Sequence, residues 1–338
     1  MTMRVIEFDE PGGPEVLQLR ARARPEPGPG DVLIRVLAAG VNRPDVQQRR
    51  GLYPPPPDAS DILGLDVAGV VEAIGSGVDG LKAGDAVCAL VNGGGYADYC
   101  VVPALQCMPL PAGFSFSQAA ALPEVFMTAW NNLIWLGRLE MGESFMMQGG
   151  TSGVGLAALQ IAKQLRQART FATAGTAEKI EVLKQFGVDG AVDYHGAWDK
   201  ELCALNGAEG FDVIMDGQAG PYTGRQLDLL ANDGRLVLLA SHLGANADVN
   251  VRAIVRRRLT LTGSTLRPRP AEYKGRLAAE LVELVWPLLA SGAIRMPICA
   301  SFPLEEVAKA HAVLDANAQI GKVVLHMDPD KAVSAPGG

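Results

Sequence analysis

At 338 residues the chain is long enough for two domains, and 48% hydrophobic against 20% charged residues is the balance of an ordinary globular protein. Its net charge of −7 argues against a nucleic-acid-binding protein, which usually carries a basic footprint. No run of about 18 apolar residues and no apolar leader is visible, and the five cysteines form no C-x-x-C pair, so no membrane span, no secretion signal and no disulfide framework are expected, and reduced thiols in a cytoplasmic protein are.

The first part of the chain reads as β-structure. Residues 3–9, 17–24 and 31–40 have strand character, and 25–30 is a turn cluster. A short helix is expected from Asn42, with Pro44 near its first position, and the run Tyr53-Pro54-Pro55-Pro56-Pro57 forces an extended loop. Strands follow at 67–74, 86–91 and 96–102, separated by Gly/Asp turns. Residues up to about 110 therefore predict a turn-rich barrel. Beyond them Ser117 is the expected cap of a helix over 118–122, and a longer helix covers 127–136. From residue 144 onward strands and helices alternate: helix 154–166, strand 169–174, helix 177–186, strand 190–193, helix 198–205, strand 211–216, helix 223–230, strand 235–240, helix 249–256 and strand 259–264. That alternation predicts a parallel, doubly wound α/β sheet. A long helix over 273–290, a strand at 298–302, a helix over 304–317 and a strand at 322–325 are expected to dock back on the first domain, and 328–338 reads as a frayed tail.

The stretch Ser144 to Gly155 is an apolar strand running into a glycine-rich turn, and an amphipathic helix follows it. Such a turn lets backbone approach a pyrophosphate, and the helix N-terminus offers it free N–H groups. Two imperfect registers of the dinucleotide motif fit, Gly150-x-Ser152-x-x-Gly155 and Gly153-x-Gly155-x-x-Ala158. A tight strand–helix loop without a ligand stays open on the string alone. About 20 residues further on, where an NAD-binding fold places a carboxylate for the ribose 2′-hydroxyl, this chain has Gly175 and Thr176, then Lys179. A small hydroxyl residue with a lysine suits a 2′-phosphate, which favours NADPH over NADH. A solvated lysine in a first helical turn is the plain alternative.

Several stretches carry a family likeness: Ala39 to Asp45, Gln48 to Pro55, Gly64 to Gly69, Gly93 to Ala97, the glycine turn, Thr262 to Arg267, and Ile320 to Leu325. Over residues 3–326 the chain resembles the zinc-free quinone oxidoreductases of the medium-chain dehydrogenase/reductase superfamily, in their branch similar to zeta-crystallin and the p53-inducible quinone reductase. The resemblance implies an α/β protein with a GroES-like β-barrel catalytic domain (1–124), a Rossmann NADPH-binding domain (125–270), a return to the catalytic domain (271–327), and an active site in the cleft between the domains. It implies a homodimer that reduces quinones, or related electron-poor carbonyl or olefin compounds, with NADPH. By the same likeness Ser152, Lys179 and Tyr194 face the cofactor, and Thr128, Gly153, Val154, Gln218, Ser264, Thr265, Leu266 and Lys322 lie near it. Gln148 stands where relatives usually have His, and Ser241-His242-Leu243 is less apolar than is typical there.

Zinc needs three or four clustered N, S or O ligands. None of the histidines, 195, 242, 311 and 326, lies in the N-terminal domain, and Cys88, Cys100 and Cys107 are too widely spaced for a structural knuckle, so no metal is expected. His311 reads as one face of a surface helix. Without a Lewis acid the reaction must be intrinsically easy, and hydride addition to a quinone is. The polar candidates for catalysis are Asn42, Asp45 and Tyr53. Asn42 is suited to donate to a quinone oxygen or the nicotinamide amide, or is simply a turn residue. Tyr53 is suited to donate to the developing oxyanion, or packs on its prolines. Asp45 orients one of the two, or is a helix N-terminal carboxylate. Arg252, Arg256, Arg257, Arg258, Arg267 and Arg269 read as a solvated helix end and strand edge, with an anion patch as the alternative. Two other functions compete: an NADPH-dependent enoyl or alkenal double-bond reductase, and a non-catalytic NADPH- or RNA-binding protein.

Overall fold

The computed structural model describes residues 1–207 and 209–327; the tail at 328–338 lies outside the described residues. The chain divides into two compact units, one holding residues 1–127 together with those from 267 on, the other Thr128–Leu266.

The first unit opens with the antiparallel ribbon β1 (Thr2–Glu7) and β2 (Gln18–Ala23). It continues with β3 (Asp31–Val41), β4 (Asp66–Ile74), β5 (Ala86–Leu90), β6 (Tyr99–Pro103) and β7 (Cys107–Pro109). The second unit supplies β8 (Ser144–Gln148), β9 (Arg169–Ala174), β10 (Gly190–Asp193), β11 (Phe211–Asp216), β12 (Leu230–Leu238) and β13 (Thr260–Gly263). The last two strands, β14 (Ile298–Pro303) and β15 (Lys322–His326), belong again to the first unit.

In the first unit the sheet order is β14-β15-β3-β4-β5-β7, with β6 also on β3. Apart from the parallel β14–β15 pair, all its pairings are antiparallel. The C-terminal segment from Leu304 to Leu325 is integral to this core. Val323 and Leu325 of β15 and Leu304, Val307 and Leu314 of the preceding segment pack with Val32, Ile34 and Val36 of β3, Val67 and Val71 of β4, and Val87 of β5. Burying this apolar surface is the main driving term for closing a chain segment some 300 residues away onto β3.

The second unit is a six-stranded sheet ordered β10-β9-β8-β11-β12-β13, parallel at every pairing. The strand order reverses between β8 and β11, and ligands bind open α/β sheets at the carboxyl ends beside such a reversal. Its two central strands, β8 and β11, are buried along almost their whole length because both faces of the sheet are covered there. Met146, Phe171, Ile214 and Leu236 share a core with Trp198, Leu202 and Leu227 from the helices.

Several local expectations differ from the structure. Ser115, not Ser117, caps the helix Phe116–Ala120, because only Ser115 has a glutamine three residues on: its Oγ accepts from the Gln118 amide at 3.3 Å, and the Gln118 side chain accepts from the Ser115 amide at 2.9 Å. The helix expected at 127–136 starts at Pro123 and widens into a π turn over Asn131–Leu136. The long helix expected at 273–290 is two helices, Ala271–Leu284 and Trp286–Ala290, since Pro287 cannot donate to the ladder. β6 begins at Tyr99, and Tyr96 lies in the turn before it, donating its amide to the Leu63 carbonyl at 2.9 Å.

Candidate functional site

In the second unit the glycine turn follows β8 directly. It is pinned to β9 by Gly149 N–H donating to Thr173 Oγ1 at 3.0 Å and Gly150 N–H to the Thr173 carbonyl at 2.9 Å. A Cβ on Gly150 would lie 2.6 Å from Cβ of Ala172, and one on Gly155 would lie 2.6 Å from the Gly150 carbonyl. Those two positions therefore require glycine for close approach. Ser152, the departure in the middle of the motif, is the N-cap of the helix Gly153–Arg166. Its Oγ accepts from Gly155 N–H at 3.0 Å and donates to the Gly149 carbonyl at 2.9 Å. The N–H groups of Gly153 and Val154, in the first turn, have no acceptor within the helix. A capped helix start with spare amides fits the diphosphate of a dinucleotide.

Of the other expected cofactor residues of this unit, Thr128 and Lys179 lie in the helices Pro123–Trp130 and Ala177–Gln185, and the rest share the carboxyl-end edge of the sheet. Thr176 follows β9, Tyr194 follows β10, Gln218 follows β11, and Ser264, Thr265 and Leu266 follow β13. All stand at carboxyl ends of parallel strands. Thr176 caps the helix Ala177–Gln185 through the Lys179 amide at 3.2 Å, and no carboxylate occupies 175 or 176, although Glu178 is exposed in the same first turn. The Tyr194 hydroxyl lies against Gly175, 2.3 Å from where a Cβ would stand, so Gly175 leaves room for it. Gln218 N–H donates to Oδ1 of the buried Asp216 at 2.7 Å. Ser264 Oγ accepts from Asn131 Nδ2 at 3.1 Å, and the Thr128 carbonyl accepts from Asn132 Nδ2 at 2.7 Å, so the π turn reaches both. Lys322 is not in this group; it belongs to the first unit.

The first unit gathers Asn42, Asp45 and Lys322 into a buried polar network. Asn42 caps the helix Arg43–Arg49, its amide donating to Asp45 Oδ2 at 2.8 Å in a capping box. Asn42 Nδ2 donates to Asp66 Oδ2 at 2.8 Å, and Lys322 Nζ donates to the same oxygen at 2.8 Å and to Asn42 Oδ1. Asp66 Oδ1 accepts from the Glu124 amide at 2.7 Å. Asp45 also accepts from Tyr96 Oη at 3.1 Å and Gly64 N–H at 3.3 Å. Burial pushes the Asp45 carboxyl up to about 7, with the Asp66 charge acting the same way against the Asn42 amide, Lys322 and Tyr96.

His311 is a correction: far from facing solvent, it is fully buried. Its Nε2 lies 3.3 Å from Tyr96 Oη and its Nδ1 3.2 Å from Arg49 Nη1. Burial, and then the Arg49 charge, lower it to about 3. Arg267 is a second correction. It is 5% exposed, not solvated, and bonds the Asn92 carbonyl and Gln48 Oε1 at 2.8 Å. Its guanidinium carbon stands 5.3 Å from the centroid of the half-buried Tyr53 ring. No hydrogen bond joins Tyr53 to Asn42 or Asp45 among the described residues; Asp45 accepts the Asn42 backbone amide as the third residue of the helix, the geometry of a helix N-terminal carboxylate. Among the described residues no three His, Cys, Asp or Glu side chains are grouped to hold a metal ion.

Sequence reasoning missed Tyr96, Asp66, Arg49 and His311 as one network. Tyr96 and Asp66 stand inside the glycine-flanked stretches 93–97 and 64–69. His311 shares the buried spacing 307, 310, 311 and 314 of its helix, the apolar-face signal that marks a core position.

Residues 28–112 match the alcohol dehydrogenase GroES-like domain, and residues 153–283 match the family described as zinc-binding dehydrogenase. The quinone oxidoreductase of Lama guanicoe is 34% identical over 96% of this chain and 97% of its own. The chain belongs to the quinone oxidoreductase-like family of the medium-chain dehydrogenase/reductase superfamily. The synaptic vesicle membrane protein VAT-1 homolog of Rattus norvegicus is 33% identical over 93% of this chain and 81% of its own. The structure of Escherichia coli quinone oxidoreductase complexed with NADPH superposes with a TM-score of 0.85 at 31% identity, covering 96% of this chain and all of that one. The GroES-like and Rossmann architecture is thereby established, and the chain is an oxidoreductase of this family.

Proposed function

We propose that this family member is a metal-free NADPH:quinone oxidoreductase. The observation that carries the cofactor reading is the Ser152-capped helix start with Thr176 and Lys179, and no carboxylate at 175 or 176, at the end of the neighbouring strand. When bound, NADPH supplies hydride from C4 of its nicotinamide. Gly153 and Val154 N–H groups hold the diphosphate, and Lys179 meets the 2′-phosphate. Tyr194, Gln218 and the segment 264–266 line the same strand ends. Asn42, fixed by Asp45, Asp66 and Lys322, offers its remaining amide hydrogen to an oxygen of the quinone, and Tyr53 donates to the oxyanion that develops as the ring is reduced.

The relatives named quinone oxidoreductase favour quinones over enones. A homodimer is the expected assembly, and five free thiols favour a reducing, cytoplasmic setting. No helix among the described residues is long and apolar enough to cross a membrane. Steady-state NADPH oxidation with 1,4-benzoquinone and 1,2-naphthoquinone, against crotonyl-CoA and simple enones, tests the reading. Turnover of the quinones is expected; turnover of the enones alone overturns it.

A further inference from the structure

Arg49, His311, Tyr96 and Asp45 form one directed chain of hydrogen bonds through the interior of the first unit. Its direction follows from chemistry. A guanidinium has only donors, so Arg49 Nη1 donates to His311 Nδ1, which must be the bare nitrogen. The ring proton then sits on Nε2 and is given to Tyr96 Oη, 3.3 Å away. Tyr96 is left to donate its own proton to Asp45 Oδ2 at 3.1 Å. The same carboxylate oxygen accepts the Asn42 amide at 2.8 Å. Every residue of the chain lies at or below 4% exposure, so the bonds are not shared with bulk water.

We propose that His311 and Tyr96 are positioning residues for the reaction: they hold the Asp45 carboxylate in one orientation and charge state, and through it the cap residue Asn42. The inference rests on the reading of Asn42 as the group that meets substrate or nicotinamide. Asp45 is faced by Tyr96 from the turn before β6, Asp66 from β4, Lys322 from β15, the amides of Asn42 and Gly64, and at longer range Arg267. His311 is faced by Arg49, by Asp315 of its own helix, and by Tyr96. Of these, only Tyr96 gives Asp45 a side-chain hydrogen bond, so the relay is the adjustable part of its environment.

The test compares His311→Leu, His311→Gln, Tyr96→Phe and Asn42→Ala in the full chain. Glutamine retains one acceptor and one donor of the imidazole, whereas leucine retains neither. Tyr96→Phe and His311→Leu are expected to lower kcat about tenfold with the KM for NADPH unchanged. They are also expected to move the acid limb of the kcat–pH profile upward by about one unit, the size of one charge-assisted hydrogen bond. His311→Gln is expected to restore most of both. Profiles and kcat equal to those of wild type for folded His311→Leu and Tyr96→Phe overturn the proposal, as does failure of His311→Gln to exceed His311→Leu. If Tyr96→Phe and His311→Leu do not fold, His311→Asn decides, since it can replace Nδ1 toward Arg49 but is one methylene too short to reach Tyr96 Oη: an acid limb shifted upward by more than about half a unit sustains the proposal, and an unshifted profile overturns it. Asn42→Ala separates the two readings: unchanged kcat there removes the role assigned to Asn42, whereas a low kcat beside neutral His311 and Tyr96 variants removes the relay alone.

Discussion

Lys322 Nζ and Asp66 Oδ2 stand 2.8 Å apart, with the two side chains 3% and 0% exposed. Asn42 closes the triangle by bonding both. Removing one partner of a buried ion pair leaves an uncompensated charge, which typically costs about 3–5 kcal/mol. Lys322→Met is therefore expected to lower the urea midpoint sharply without any cofactor present, and Lys322→Met with Asp66→Leu to recover part of the loss. A single variant as stable as wild type would mean that Lys322 serves the cofactor and not the fold.

Lys179→Ala tests the 2′-phosphate assignment. The KM for NADPH is expected to rise about tenfold or more while that for NADH barely changes, since one charge-assisted contact is worth about 1.5–3 kcal/mol. Equal losses for both cofactors would remove Lys179 from the 2′-phosphate.

The turn itself tolerates little. Gly155→Ala puts a methyl 2.6 Å from the Gly150 carbonyl and 2.8 Å from that of Gly149, both backbone atoms. Overpacking of this kind costs about 1–3 kcal/mol. The expected result is a lowered melting temperature and loss of the heat of NADPH binding in calorimetry.

Asp45 makes stability depend on pH. Its carboxyl titrates near 3.9 in an unfolded chain and is pushed up to about 7 in the fold, mainly by burial. The folded protein thus binds more protons between those values, so the stability linked to Asp45 is full below about pH 4 and is lost as pH rises toward 7. His311 runs the other way: lowered to about 3 by burial and Arg49, it removes stability as pH falls from about 6.5. The two effects oppose each other between about pH 4 and 6.5. Relative to wild type, Asp45→Asn is expected to gain ground from pH 4.5 to pH 7.5 by a few kcal/mol, on the order of three pKa units. Urea midpoints at the two pH values measure it, and a constant difference would refute the assignment.

Tyr53→Phe is expected to lower quinone turnover several-fold while leaving the NADPH dissociation constant in place. An unchanged kcat would leave Tyr53 as a loop aromatic beside Arg267.

The sequence by itself determined the architecture of the second unit, because alternating apolar strands and amphipathic helices allow few folds other than a parallel doubly wound sheet. It also marked the glycine turn, since a strand–turn–helix junction and its cap are set by neighbours in the chain. The register of Ser115 over Ser117 and the break at Pro287 were equally local and readable from cap spacing and ring chemistry. What only the tertiary structure decided is the network around Asp45. Asn42, Asp66, Tyr96, His311 and Lys322 come from five separate segments, and nothing local in any of them shows which others it will meet. The spacing of Val307, Ala310 and Leu314 places His311 on an apolar helix face, but what that face packs against is set only when β15 and its preceding helix close over the barrel. Arg267 is likewise indistinguishable from its solvated neighbours by composition, and only its bonds to Gln48 and Asn92 bury it. Burial of a charge is a property of what is packed around it, and that is fixed by contacts between residues distant in the chain.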